Sequence, residues 1–282
     1  MPMKFPAMPL ATWQPTRDTI QRYAQLLGEI RAASTPRSKH WWHINLRPGV
    51  AGLVTPPIPV RDSSDSFAFQ MQLDFVNHRL TINSSSGQES HIPLSGQSVA
   101  DLSRESLAAL LQMGIRVQLN MDQALDESPG EYDAVAAATF WQALGQIAGV
   151  FAEFKAELRE ETSPINLWPH HFDMALVWFS GKRVAGVDPG DEDHADEQMS
   201  FGFSTGDAAI PDPYFYISAY PLPDGLRNSS LPQDATWNTQ GWQGALMMYD
   251  VLTRAQEPQE KLRGYLRGVH QAGKRLMLQA NN

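Results

Sequence analysis

At 282 residues and 42% hydrophobic content, the chain carries enough apolar material for a sizeable core, laid out as one large domain or as two halves. A formal net charge of −9, with no basic stripe to offset it, opposes binding to nucleic-acid backbones and to anionic membrane surfaces. The absence of cysteine excludes disulfides, thiolate metal sites and cysteine nucleophiles and fits a reducing compartment. No run approaches the roughly 18 uninterrupted apolar residues of a membrane helix, and the first ten residues, broken by three prolines, make a poor secretory signal, so a cytoplasmic protein is expected.

Ile20, Tyr23, Leu27 and Ile30 recur at helical spacing from about Thr16, and Ser34-Thr35-Pro36 ends that helix. Strands follow. From Phe67 to Phe75, Phe67, Phe69, Met71, Leu73 and Phe75 alternate with Ala68, Gln70, Gln72 and Asp74, the period of a strand with one buried face, which puts Asp74 on the wetter side. Arg79 to Asn83 reads as the next strand, and Ser84-Ser85-Ser86-Gly87 as a turn towards His91-Ile92-Pro93-Leu94. Ser98 with Asp101 forms a capping pair, and Val99, Leu102, Leu110 and Met113 supply a helical stripe closed by Gly114. Ile115, Val117 and Leu119 suggest one further strand.

The acidic stretch from Asp122 to Asp133 reads as a connector, after which the order starts again. Val135, Phe140, Leu144, Ile147, Phe151, Phe154 and Leu158 mark a long helix that breaks at Thr162-Ser163-Pro164. Phe172 to Phe179 is apolar on both faces, as a buried strand would be. Asp188 to Glu197 forms an acidic loop, and strands are expected at Met199 to Phe203, Tyr214 to Tyr220 and near Leu246 to Met248. A last helix begins at Pro258, a residue suited to a first helical position. The expected class is therefore α+β, with two similar α-β-β-β-α halves and antiparallel sheet flanked by helices. The halves span residues 1–121 and 132–282, joined by a connector at 122–131, and they form either one continuous domain or two.

Two clusters stand out, His40-Trp41-Trp42-His43 and Trp168-Pro169-His170-His171-Phe172-Asp173, each following a helix that ends in Thr-Pro or Ser-Pro. If residues 40 to 46 form a strand, His40 and Trp42 face one way and Trp41 and His43 the other, so the two histidines do not chelate one metal. On a strand His171 and Asp173 share a face, which allows a shared site or a carboxylate that orients an imidazole. Asp74 and His78 fall on one side of their strand if it extends that far. The candidate binding set is thus His40, Trp42, His43, Asp74, His78, His171 and Asp173.

Each residue also has a plainer reading. Histidines beside tryptophans commonly satisfy backbone groups, and paired tryptophans commonly fill cores. An indole also offers a ligand a broad apolar face with one donor at its edge. His-Glu-x-x-His and similar compact spacings are absent, so no metal and no cofactor are assigned. Neither a Gly-x-Ser-x-Gly elbow, a phosphate loop nor a Gly-x-Gly-x-x-Gly turn occurs. Tyr214-Phe215-Tyr216 with Tyr220-Pro221 borders a pocket or fills a sheet interior.

Taken together these motifs resemble an uncharacterised bacterial family known only as a domain of unknown function. The resemblance rests on Trp13 with Thr16, Gly28 with Arg31, His40-Trp41-Trp42-His43, Gly52-Leu53 with Thr55-Pro56 and Pro59, and Asp74-Phe75 with His78. It continues through Ser163-Pro164, Phe172-Asp173, Phe179-Ser180-Gly181, and Phe215-Tyr216 with Tyr220-Pro221. Such a likeness implies a shared fold more than an activity. This chain departs from it with Glu29 and Glu161 where lysines are usual, and with Gln21, Asn166 and Asp196 where histidines are. A family site built on those residues would be altered here.

Two functional expectations remain. One is a small organic ligand in a tryptophan- and histidine-lined pocket, with His-Asp acid-base chemistry, because proton transfer at neutral pH needs a group titrating near seven. The other is a structural or protein-interaction role in which the clusters are packed seams. Homodimerisation is compatible with either, and the sequence carries no interface signature for it.

Overall fold

A computed structural model describes residues 4–60, 67–119 and 126–279. The chain is α+β, with two antiparallel sheets of six strands each. In the first half α1 (Gln14–Ser34) precedes β1 (Arg47–Pro48), β2 (Gly52–Val54), β3 (Ile58–Pro59), β4 (Ala68–Asp74), β5 (Arg79–Ser84) and β6 (Glu89–Pro93), and α2 (Val99–Gln112) closes it. In the second, α3 (Ala134–Glu157) leads into β7 (Asn166–Trp168), β8 (Asp173–Arg183), β9 (Asp196–Ser204), β10 (Tyr214–Tyr220), β11 (Ala235–Asn238) and β12 (Gly244–Met248). Two helices follow, α4 (Asp250–Arg254) and α5 (Pro258–Gln279). The first sheet runs β1-β2-β4-β5-β6 with β3 also on β4, and the second runs β11-β12-β10-β9-β8-β7. Both halves thus enter on a long helix, cross a run of antiparallel strands and leave on a helix.

Two compact units result, and they interleave along the chain. One comprises Thr12–Trp141 together with Leu167–Phe172; the other comprises Gln142–Asn166, Asp173–Asn282 and the N-terminal residues up to Ala11. The short segment Leu167–Phe172 therefore belongs with the first unit although it lies in the second half of the sequence. Residues 122–125 of the expected connector lie outside the described residues.

In the first unit, Ile20, Tyr23, Leu27 and Ile30 of α1 are at most 1% exposed, as their spacing requires. They share the core with Phe69, Met71 and Leu73 of β4 and Leu80 and Ile82 of β5. Phe140 stacks on Trp13 at 5.2 Å and also meets Phe75 and Phe172, at 6.0 and 5.6 Å. In the second unit one sheet face carries Met174, Leu176 and Trp178 of β8, paired across to Phe203, Phe201 and Met199 of β9, all at most 1% exposed. Among the described residues α3 alone is long and apolar enough to cross a bilayer. Its Phe140, Leu144, Ile147, Phe151 and Phe154 are nonetheless core residues, at most 1% exposed.

Three local expectations are corrected. Residues 115–119 form no strand. Gly114, at φ 78°, lets the amide of Ile115 donate back to the Leu110 carbonyl at 2.9 Å, so Ile115 seals the end of α2 as a buried C-terminal staple. Residues 40–46 are not a strand either: Lys39–Trp41 is a 3-10 turn, and pairing starts at Leu46. Asp74 lies not on a wet face but 5% exposed, under the turn it organises.

Candidate functional site

The first His-Trp cluster sits on a tight surface turn between α1 and β1. His40 and Trp41 both adopt left-handed backbone, at φ 53° and 57°, a conformation in which Cβ crowds the carbonyl oxygen. The turn pairs the rings at i, i+2. His40 meets Trp42 at 5.6 Å, Trp41 stacks on His43 at 5.6 Å and 25°, and the Arg37 guanidinium lies 4.7 Å over the Trp41 ring. The pairing that strand geometry suggested is therefore present, produced by a turn. Trp41 is 43% exposed, whereas His43 is buried and its Nδ1 accepts the Ser38 amide at 3.3 Å. That bond assigns the His43 proton to Nε2.

The second cluster makes another turn, residues 169–172, and β8 begins only at Asp173. His171 is therefore an exposed turn residue and shares no strand face with Asp173, because Phe172 between them is left-handed at φ 53°. That backbone turns the Phe172 side chain into the Trp13–Phe140 cluster, where it is 1% exposed.

Both turns rest on α1. Leu46 and Leu167 form an antiparallel bridge, Gln21 Nε2 donates to the His170 carbonyl at 2.9 Å, and Arg31 donates to the Asn45 carbonyl at 2.7 Å and to its side-chain oxygen. A Cβ on Gly28 would stand 3.0 Å from the Ile44 carbonyl oxygen and 3.2 Å from Pro169 Cγ, so a larger residue would press both turns a few tenths of an ångström away from the helix. Burial, with the neighbouring Arg47 charge, lowers Arg31 to about 10, which leaves it a cation at neutral pH. Burial raises the Glu29 carboxyl, against a lowering by His170. Asn45 has no signature in the sequence and Arg31 only its place beside Gly28 in the resemblance; the helix-to-turn contact gives both their role.

Asp74 and His78 organise the β4–β5 turn. Asp74 Oδ1 accepts the amides of Val76 and Asn77, each at 2.9 Å, and Oδ2 accepts Asn77 Nδ2 at 2.7 Å. Burial pushes the Asp74 carboxyl up, but these bonds and Arg79 outweigh it and hold the group below the usual range. His78, left-handed at φ 51°, places Nδ1 3.0 Å from the Tyr132 hydroxyl. Both side chains are therefore committed to local structure.

Asp173 belongs to the second unit, at the start of β8, where Tyr216 donates its hydroxyl to Oδ2 through a short bond. Asp173 pairs with Ser204, which pairs with Tyr214, while Tyr216 pairs with Gly202. The Tyr216 ring reaches Asp173 by lying across Gly202, where a Cβ would stand 2.1 Å from Tyr216 Cζ. Dense packing, then the Asp173 charge and bond, push the Tyr216 phenol well above its ordinary value. Tyr214 donates to Asp207 at 2.7 Å, and Trp242 stacks on it at 6.4 Å and 15°. Among the described residues no three His, Asp or Glu side chains gather in a way that could hold a metal ion.

The chain belongs to DUF5996, a family of unknown function whose model matches residues 5–278. No curated protein and no solved structure is significantly similar to it.

Proposed function

We propose that the protein binds a small organic molecule on the paired turns 39–44 and 169–172, with the exposed Trp41 beside His40, Trp42, His43 and His171 as its recognition set. One observation carries this reading: His40 and Trp41 are consecutive left-handed non-glycine residues on an exposed turn. Each costs on the order of 1–2 kcal/mol. Core delivery accounts for the same backbone at Phe172 and hairpin closure for it at His78, whereas Trp41 points outward at 43% exposure. Strain kept where packing does not need it is characteristic of recognition surfaces. The exposed Trp41 indole face and the exposed His171 imidazole suit a planar, hydrogen-bonding ligand. Asp74, His78 and Asp173 stand outside this set, since Asp74 already accepts turn amides and His78 and Asp173 are each bonded to a tyrosine hydroxyl. Acid–base chemistry by a His171–Asp173 pair draws no support from this geometry.

A second reading has its own observation. The Leu46–Leu167 bridge and the close packing at Gly28 make the two turns a structural seam. A thermal-shift screen of small heteroaromatic compounds on the full chain, beside Trp41→Ala and His171→Ala, separates the two. Binding predicts hits that raise the wild-type Tm and are lost in both variants, whose unliganded Tm stays within a degree or two. If no compound acts, and Trp41→Ala alone lowers Tm by several degrees, the seam reading replaces it.

A further inference from the structure

The second unit holds a cavity of about 350 Å³ between the end of α3 and the second half of α5. None of the candidate binding residues named above lines it. Its inner wall includes His270, 6% exposed, whose ring lies edge-on to Trp178, Phe154 and Phe201 at 5.0, 5.8 and 5.9 Å. Nε2 of this histidine is enclosed and has no hydrogen-bond partner among the described residues. Burial, then the Lys274 charge, pushes its pKa down to about 4, so the ring is neutral at pH 7. A buried polar side chain with an unused hydrogen-bonding group, lining a cavity, is unusual in a region that serves packing alone.

The rim is charged and organised. Glu160 accepts Trp178 Nε1 at 3.1 Å and pairs with Lys274, and Glu157 takes a two-point bond from Arg267 at 2.7 and 2.5 Å. Arg159 also lines the cavity and is exposed, and it has no ion pair among the described residues. The lining thus counts three cations (Arg159, Arg267, Lys274) against two carboxylates (Glu157, Glu160), a local surplus of one positive charge on a chain of net −9. Phe154 and Leu158 supply an apolar wall.

We propose that this cavity binds a small organic monocarboxylate with an apolar body, its carboxylate at Arg159 and its body against Phe154, Leu158 and the neutral His270 ring. A guanidinium that forms no ion pair among the described residues matches a carboxylate in two-point geometry. A neutral aromatic floor favours a flat apolar body over a second charge. This site is independent of the paired turns, and neither proposal needs the other.

Titration calorimetry of the full chain with benzoate, beside the uncharged isostere benzamide, tests it. Expected are saturable one-to-one binding of benzoate, at least about tenfold weaker binding of benzamide, and a similar loss in Arg159→Ala, whose exposed side chain leaves the fold intact. His171→Ala should bind benzoate as the wild type does. Trp178 is bonded to Glu160 at the cavity, so a change in its fluorescence should accompany binding. No saturable binding at millimolar benzoate, equal affinity for benzamide, or unchanged affinity in Arg159→Ala overturns the proposal.

Discussion

Leu46 and Leu167 exchange two backbone hydrogen bonds, of 3.0 and 2.8 Å, and so join the segments that carry the two His-Trp clusters. Both side chains are buried, at 0 and 1% exposure. Leu46→Ala and Leu167→Ala should each cost about 2–5 kcal/mol, the usual range for a large-to-small change in a core. The double variant should fall short of the sum of the single ones, since residues that share a contact couple. Urea denaturation of the three variants measures both effects, and strict additivity would mean that the two side chains share no contact.

Across the second sheet, Tyr216 reaches Asp173 only because position 202 is glycine. Gly202→Ala places a methyl 2.1 Å from Tyr216 Cζ, against a ring that has to move bodily and lose its bond to Asp173. Tyr216→Phe removes the same bond with the ring left in place, at a cost of about 1–3 kcal/mol for a lost hydrogen bond to a buried carboxylate. The alanine variant should therefore be the less stable of the two in chemical denaturation. The reverse order would mean that the phenol does not lie over Gly202.

Histidine 270 sets the acid response. Its folded-state pKa of about 4 lies below the ordinary 6.5, so the unfolded chain takes up this proton first as pH falls. Its neutral burial is compatible with full stability above pH 6.5, and about 3 kcal/mol should be lost between pH 6.5 and 4. His270→Leu should flatten that part of the profile. The Glu160 carboxyl, held down to about 2 by Lys274 and Trp178, contributes stability that is present above about pH 4.5 and lost as pH falls towards 2. Two separate falls in stability, of which only the upper disappears in His270→Leu, are the expected result.

Periodicity in the sequence was enough to locate β4, β5, β9, β10 and the long helices, because one buried face imposes a repeat of two or 3.6 residues whatever packs against it. β10 and the start of α5 fall where the pattern puts them, at Tyr214–Tyr220 and Pro258. Turns carry no such repeat. The segment His40–His43 reads as a strand by its flanking prolines, yet two left-handed residues fold it into a turn, and the bulky Trp41 is not a residue that announces positive φ. His171 and Asp173 look like strand neighbours for the same reason, until Phe172 turns between them.

Composition and local pattern by themselves determined the α+β class, the two halves and the residues worth attention, since these follow from short-range spacing and from the burial of apolar side chains. What only the tertiary structure decided is what each polar residue does. Asp74 holds a turn, Asp173 takes a tyrosine hydroxyl from two strands away, and His270, on a helix whose pattern marks only apolar positions, becomes a buried neutral base beside a cavity. Those roles depend on hydrogen-bond partners and on exclusion of water, which long-range packing supplies and which no window of neighbouring residues contains.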